Sequence, residues 1–78
     1  MSKKIKELEE MAEIISIALA RERASVRYYK EAYQKSTTEV VKRLFSILIE
    51  QEKGHEAKLR TQLHEIKAKI GLERMKSK

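Results

Sequence analysis

Two long stripes of apolar residues, with no proline in the chain, constrain the fold more than any other feature of this sequence. Residues of each stripe lie three or four positions apart, the spacing that keeps side chains on one face of an α-helix. The first stripe is Ile5, Leu8, Ala12, Ile15, Leu19, Glu22, Val26, Tyr29 and Tyr33. The second, with a gap at Gln62, is Val41, Phe45, Leu48, Glu52, His55, Leu59 and Ile66. The sequence therefore predicts an all-α fold made of two long helices.

The segment 36–38, Ser-Thr-Thr, separates the two stripes and predicts the turn. Ser36 followed three residues later by Glu39 fits a capping box at the start of a helix. We expect helix 1 at about 3–35 and helix 2 at about 37–69, with Gly71 as a C-terminal stop. These bounds predict a single helical domain over residues 1–70 and a tail over residues 71–78.

A turn this short makes the helices antiparallel, so the register between them follows from residue numbers. Glu22 and Glu52 are equally far from residue 37. Each lies about 22 Å from the turn at 1.5 Å per residue, so the two face each other at one level. His55 lies one helical turn beyond Glu52 on the same face.

These three ionisable residues stand on stripes that are otherwise mostly apolar. Burying them without partners would cost several kcal/mol, which favours a metal ion as their partner. The chain contains no Cys, and carboxylate with imidazole ligands suits Fe, Mn or Zn. The alternatives are an ion pair between Glu22 and a neighbouring Arg, and a chance Glu-x-x-His spacing in a highly charged chain.

The apolar surface is wider than one seam, since further apolar residues flank both stripes. They are Met11, Ile14, Ala18, Tyr28, Ala32, Val40, Leu44 and Ile47. One hairpin cannot cover them all, whereas two hairpins paired as a two-fold dimer form a four-helix bundle. Such a dimer brings together four Glu and two His, the ligand set of di-iron carboxylate proteins. Tyr29 could donate its hydroxyl to a ligand carboxylate, or could be an ordinary core residue.

The charge of the chain suggests a different class of function. Its 18 Lys and Arg against 12 Asp and Glu give a net charge of +6, as in proteins with anionic partners. These charges are spread along both helices without the aromatic residues that stack on bases, which argues against nucleic acid. A basic helical interaction module, for nucleic acid or a partner helix, remains one alternative. A structural metal site without turnover is another.

Two groups of residues resemble the rubrerythrin branch of the ferritin-like superfamily. One is Glu22 followed by Tyr28-Tyr29, and the other is Leu44-Phe45 leading into the segment 50–55, Glu-Gln-Glu-Lys-Gly-His. The two-helix length is most similar to encapsulated ferritins, whose protomer is half of a ferritin bundle. The resemblance implies that Glu22, Glu52 and His55 are the catalytic iron ligands of a di-iron ferroxidase centre shared by two subunits. Such a centre oxidises Fe(II) with O₂ or peroxide for iron storage or detoxification.

The resemblance also implies partners for this chain. They are a second copy, a higher ring-like oligomer and an encapsulin-type protein shell. We expect a cytoplasmic protein, because no segment approaches the roughly 20 apolar residues of a membrane span and the N-terminus has no signal-peptide pattern. The chain departs from the family pattern at Arg21 and Ala24, where the family carries acidic residues.

Overall fold

Two antiparallel helices form the whole of the described structure. The computed structural model describes residues 3–76, in which α1 spans Lys3–Lys35 and α2 spans Glu39–Lys76. The hairpin is a rod of 60 × 14 × 12 Å, so its two helices lie side by side along their length. The all-α hairpin predicted from the two stripes is confirmed. Neither helix has the length and apolar character needed to cross a membrane within the described range.

The turn uses a different cap from the one predicted. The backbone N–H of Val41 donates to Thr38 Oγ1 at 3.3 Å, which makes Thr38 the N-cap of α2. Ser36 instead donates its hydroxyl to the carbonyl oxygen of Ala32 at 2.7 Å. The predicted Ser36 cap and the start of helix 2 at residue 37 are therefore wrong. Ser36 caps the end of α1 because its hydroxyl can reach a carbonyl one turn back that has no partner in its own helix.

The second helix continues through the predicted stop at Gly71. Gly71 does not adopt a positive φ, and α2 runs on to Lys76. Beyond the glycine, Glu73 pairs with Lys4 at 3.3 Å and Arg74 pairs with Glu9 at 3.3 Å. These contacts with α1 oppose the cost of about 1 kcal/mol of a helical glycine. The helix end at residue 69 and a separate tail from residue 71 are thus wrong for the described part, and residues 77 and 78 lie outside it.

The apolar seam of α2 is also shifted in phase. The predicted stripe placed His55 on the seam, yet its side chain is 57% exposed. Most of the partly or fully buried residues of α2 step by three and four along a different line: Phe45, Ile49, Glu52, Glu56, Leu59, Leu63, Ile66, Ile70 and Glu73. The two seams share Phe45, Glu52, Leu59 and Ile66, and Leu48 of the predicted seam is partly buried as well. The predicted seam is therefore wrong at the exposed residues Val41 and His55.

Burial differs between the two ends of the rod. We call residues 3–15 and 60–76 the open-end half, and residues 16–59, which include the turn, the turn-end half. In the open-end half, Leu8, Ile66 and Ile70 form a buried cluster against which Ala12 and Ile15 pack. Ile5 is buried as well. This half has a core built by two helices alone.

The turn-end half leaves much of its apolar surface uncovered. Only Leu19 and Val26 are buried among its described apolar residues. Its large exposed apolar residues are Ile17, Tyr28, Tyr33, Val40, Val41, Leu44 and Ile47, and those of the open-end half are Met11, Ile14, Leu72 and Met75. The two halves therefore differ in how much apolar surface the hairpin buries, while both expose large apolar side chains.

Candidate metal centre

The three residues singled out from the sequence meet at one point in the turn-end half. Glu22 on α1 and Glu52 and His55 on α2 each offer a ligand atom, and these atoms all lie within 4.8 Å of one another. His55 Nδ1 is 3.9 Å from Glu22 Oε2 and 3.8 Å from Glu52 Oε1. The antiparallel register computed from residue numbers thus brings together one carboxylate from α1 and a carboxylate and an imidazole from α2.

The geometry leaves one oxygen of this cluster without a hydrogen bond. Glu22 Oε2 is buried, and among the described residues no donor lies within hydrogen-bonding distance of it. The distance of 3.9 Å to His55 Nδ1 exceeds the length of a hydrogen bond. A buried carboxylate oxygen without a partner is costly, so such an atom calls for a ligand. A cation held between Glu22, Glu52 and His55 would satisfy it.

The local sequence explains why Glu22 points inwards. Leu19 and Val26 lie one turn before and one turn after it on the same face of α1, and both are buried. Their burial orients that face of α1 towards α2, so the side chain of Glu22 also points towards α2. The side chains of Glu22 and Glu52 are 25% and 20% exposed, whereas His55 is mostly exposed at the edge. The cluster therefore has its carboxylates mostly inside the hairpin and its imidazole at an open side.

The open side of the cluster is apolar. A shallow depression next to Glu22 is lined by Ile14, Ile17, Ala18 and Arg21. On α2, the residues Val41, Leu44, Leu48 and His55 share one face by their spacing. The exposed imidazole and the uncovered apolar residues of the turn-end half thus belong to the same side of the hairpin.

Tyr29 packs with aromatic neighbours near the cluster. Its ring lies 6.2 Å from that of Phe45 and 5.7 Å from that of Tyr28, centre to centre. Its hydroxyl makes no hydrogen bond to Glu22 or Glu52 in the hairpin. The geometry favours the core alternative for Tyr29, and a hydrogen bond to a ligand carboxylate stays a prediction for a fully assembled site.

One ion pair beside the cluster was not predicted from the sequence. Arg23 Nε donates to Glu56 Oε1 at 3.1 Å and joins α1 to α2. Glu56 is on the true seam of α2, which the sequence analysis had placed one residue earlier at His55. The sequence does carry a signal for this phase, since Leu63 and Ile70 extend that second line of seam residues.

The family of the chain is decided by a comparison with protein-family models. Residues 1–75 match the model described as Rubrerythrin. The chain belongs to the rubrerythrin family. This confirms the resemblance found in the sequence and places the cluster in a ferritin-like family whose domains typically bind iron. No curated protein and no solved structure matches the chain.

The residues present fit the metal that this family binds. Two carboxylates and an imidazole, with no thiolate, are ligands for iron, manganese or zinc. The unsatisfied oxygen of Glu22 is directed into the cluster where a cation would be held. Three protein ligands from one hairpin are fewer than a pair of metal ions requires.

Proposed function

We propose that this rubrerythrin-family chain is a ferroxidase whose site is completed when two copies associate. The observation that carries the proposal is the cluster of Glu22, Glu52 and His55, with a buried unsatisfied oxygen and an open apolar side. A second hairpin packed on that side would supply the same three ligands again. The total of four Glu and two His is the set used by di-iron carboxylate bundles.

The exposed apolar residues support a second copy as the partner. Leu44 and Ile47 on α2, and Ile17 on α1, are about half exposed in the single hairpin. Covering such side chains is favourable, by about 25 cal/mol for each Å² of apolar surface removed from water. A two-fold dimer covers the same patch on both chains at once, because the interface is formed by identical surfaces. Completion of the core and completion of the site would then be one event.

Fe(II) is the substrate of the proposed reaction. Two Fe(II) ions each lose one electron, and O₂ accepts the two electrons with two protons to form hydrogen peroxide. The bound ions supply the redox chemistry, while the chain supplies geometry and charge. The carboxylates of Glu22 and Glu52 hold the ions by their negative charge, which favours the Fe(III) product over Fe(II). His55 directs Nδ1 towards both carboxylates, so Nδ1 is the ring nitrogen placed to bind an ion between them.

The test is an anaerobic titration of the metal-free protein with Fe(II), with the assembly mass followed throughout. We expect about one Fe(II) per chain, dimers or larger assemblies, and Fe(III) formation well above the buffer rate when air is admitted. Zn(II) serves as a redox-inert control, since it should bind at the same stoichiometry and promote association without oxidation.

Two results would reject the proposal in different ways. Binding of Fe(II) with oxidation no faster than in buffer would leave a structural metal site without turnover. Absence of binding by either metal would mean that the three residues are structural only. In that case the basic helical module becomes the hypothesis to test, by the salt dependence of its affinity for DNA.

A further inference from the structure

An ion pair directly behind the cluster links the two helices that carry the three residues. Arg23 follows Glu22 in the chain, Glu56 follows His55, and their side chains meet at 3.1 Å. Because neighbouring residues on a helix are about 100° apart, the pair lies on a different side from His55. The hairpin is therefore open on one side of the cluster, and on another side a charged hydrogen bond joins its two helices.

The pair of Arg23 and Glu56 joins α1 to α2 at the level of the cluster. The other ion pairs between α1 and α2 in residues 3–76, apart from the contacts of His55 itself, join Lys4 to Glu73 and Glu9 to Arg74. Glu9 is about 20 Å along α1 from Glu22 at 1.5 Å per residue. The seam near the cluster has carboxylates where apolar residues would otherwise interlock. Among these ion pairs, the one between Arg23 and Glu56 lies at the level of the cluster.

Glu56 is also a carboxylate close to a proposed metal site without being part of it. Its side chain is 19% exposed, as inward-lying as that of Glu52, yet the group of possible ligands comprises Glu22, Glu52 and His55 alone among the described residues. The guanidinium of Arg23 donates a hydrogen bond to Glu56 Oε1. A carboxylate engaged by Arg is less free to bind a cation, because its negative charge is already compensated.

We propose that Arg23 and Glu56 are a positioning pair for the metal site, which sets the register of α1 against α2 and keeps Glu56 out of the ligand set. This inference rests on the proposed function. It assigns the pair no contact with the metal, and its effect passes through the placement of Glu22, Glu52 and His55.

Cobalt(II) is the probe for the test, because its visible absorption reports the number and arrangement of its ligands. The full-length variants are Arg23→Met, Glu56→Gln and the charge-swapped double variant Arg23→Glu with Glu56→Arg. We expect each single variant to weaken Co(II) binding about tenfold, the lower end of the range for residues that orient metal ligands. Arg23→Met should also change the absorption spectrum, since Glu56 is released. The charge swap should restore affinity and spectrum towards those of the unmodified protein.

The matched control is the other Arg–Glu hydrogen bond between the helices. Arg74 donates to Glu9 at 3.3 Å in the open-end half, far from the cluster. Arg74→Met and Glu9→Gln should change the thermal midpoint about as much as the positioning-pair variants do, but leave Co(II) affinity and spectrum unchanged. Helicity by circular dichroism verifies that every variant is folded when the metal is added.

The outcomes separate this inference from the proposed function. If the unmodified protein binds Co(II) and the variants at Arg23 and Glu56 behave like the control variants, the pair is merely structural and the inference is overturned while the metal site stands. A charge swap that restores nothing would also overturn it. If the unmodified protein binds neither Co(II) nor Fe(II), the proposed function fails and this inference fails with it.

Discussion

The same two helices bury their apolar side chains to different degrees in the open-end half and in the turn-end half. In the open-end half, Leu8, Ile66 and Ile70 are buried by the hairpin alone. In the turn-end half, the seam carries Glu22 and Glu52, and Leu44 and Ile47 stay exposed. Apolar burial is therefore concentrated in the open-end half, while the turn-end half carries the candidate metal ligands.

The difference separates the part of the hairpin that has a buried apolar cluster from the part that has the candidate ligands. A carboxylate on a helix seam contributes no apolar burial and requires compensation for lost hydration. A hairpin of this size has little stability in reserve. The buried cluster of the open-end half supplies apolar burial that the carboxylates on the seam of the turn-end half do not.

The largest effect is expected at the cluster itself. Glu52→Ala should reduce Fe(II) oxidation to the rate of buffer alone, because a dimer would lose two of its four carboxylate ligands. The measurement is the initial rate of Fe(III) formation after air is admitted. Glu50→Ala is the control, since Glu50 is an exposed carboxylate on the same helix and should leave the rate unchanged. Full activity in the Glu52 variant would show that the cluster is not the site.

The next effect concerns the core of the open-end half. Ile66→Ala should lower the free energy of unfolding by about 2–4 kcal/mol, because it removes buried methyl groups and leaves a cavity in the cluster with Leu8 and Ile70. Urea unfolding followed by circular dichroism measures it, with metal-free protein at low concentration. The control is Ile47→Ala, where a half-exposed side chain has less burial to lose. Equal losses at Ile66 and Ile47 would contradict the division of the hairpin into two halves.

A smaller effect is expected on the uncovered surface of the turn-end half. Leu44 and Leu72 are similarly exposed, at 54% and 57%, and lie in opposite halves. Leu44→Asp should raise the dimer dissociation constant at least about tenfold, since an unpaired carboxylate would be buried in the interface. Leu72→Asp should leave it unchanged. Sedimentation velocity over a series of protein concentrations with Zn(II) distinguishes the two. Greater loss of association with the Leu72 variant would place the interface in the open-end half.

The smallest effect concerns a carboxylate of the open-end half. Desolvation tends to raise the pKa of Glu73, but the hydrogen bond and charge of Lys4, with those of Lys76, outweigh it and hold this pKa below its ordinary value. A lowered pKa in the folded state means that Glu73 stabilises the fold above the pKa it has in the unfolded chain. This contribution is lost as the pH falls through its folded-state pKa.

The thermal midpoint measured from pH 3 to pH 7 tests this sign. Glu73→Gln should be less stable than the unmodified protein near neutral pH, and the difference should narrow as the solution becomes acidic. Added salt should narrow it too, because the ion pairs with Lys4 and Lys76 lie near the surface and are screened. A difference that grows towards acid would mean that the pKa of Glu73 is raised.

Local spacing alone was enough to predict how the cluster assembles. The distance of Glu22 and Glu52 from the turn predicted their common level, since an antiparallel hairpin leaves only one register. Spacing was not enough to predict the seam of α2, because two lines of residues with helical spacing both pass through Phe45 and Leu59. The choice between His55 and Glu56 as the seam residue depends on what α1 presents, and α1 presents Arg23 to Glu56.

The sequence by itself determined the two helices, their antiparallel pairing and the meeting of Glu22, Glu52 and His55, because periodicity and a short turn act through neighbouring residues. Only the structure decided that Thr38 caps α2, that α2 passes through Gly71, and that Arg23 pairs with Glu56. Contacts between residues far apart in the chain select the last two, whereas the Thr38 cap is a choice between hydrogen bonds of neighbouring residues. The hydroxyl of Ser36 is satisfied by Ala32, and the residues beyond Gly71 are held by Lys4 and Glu9.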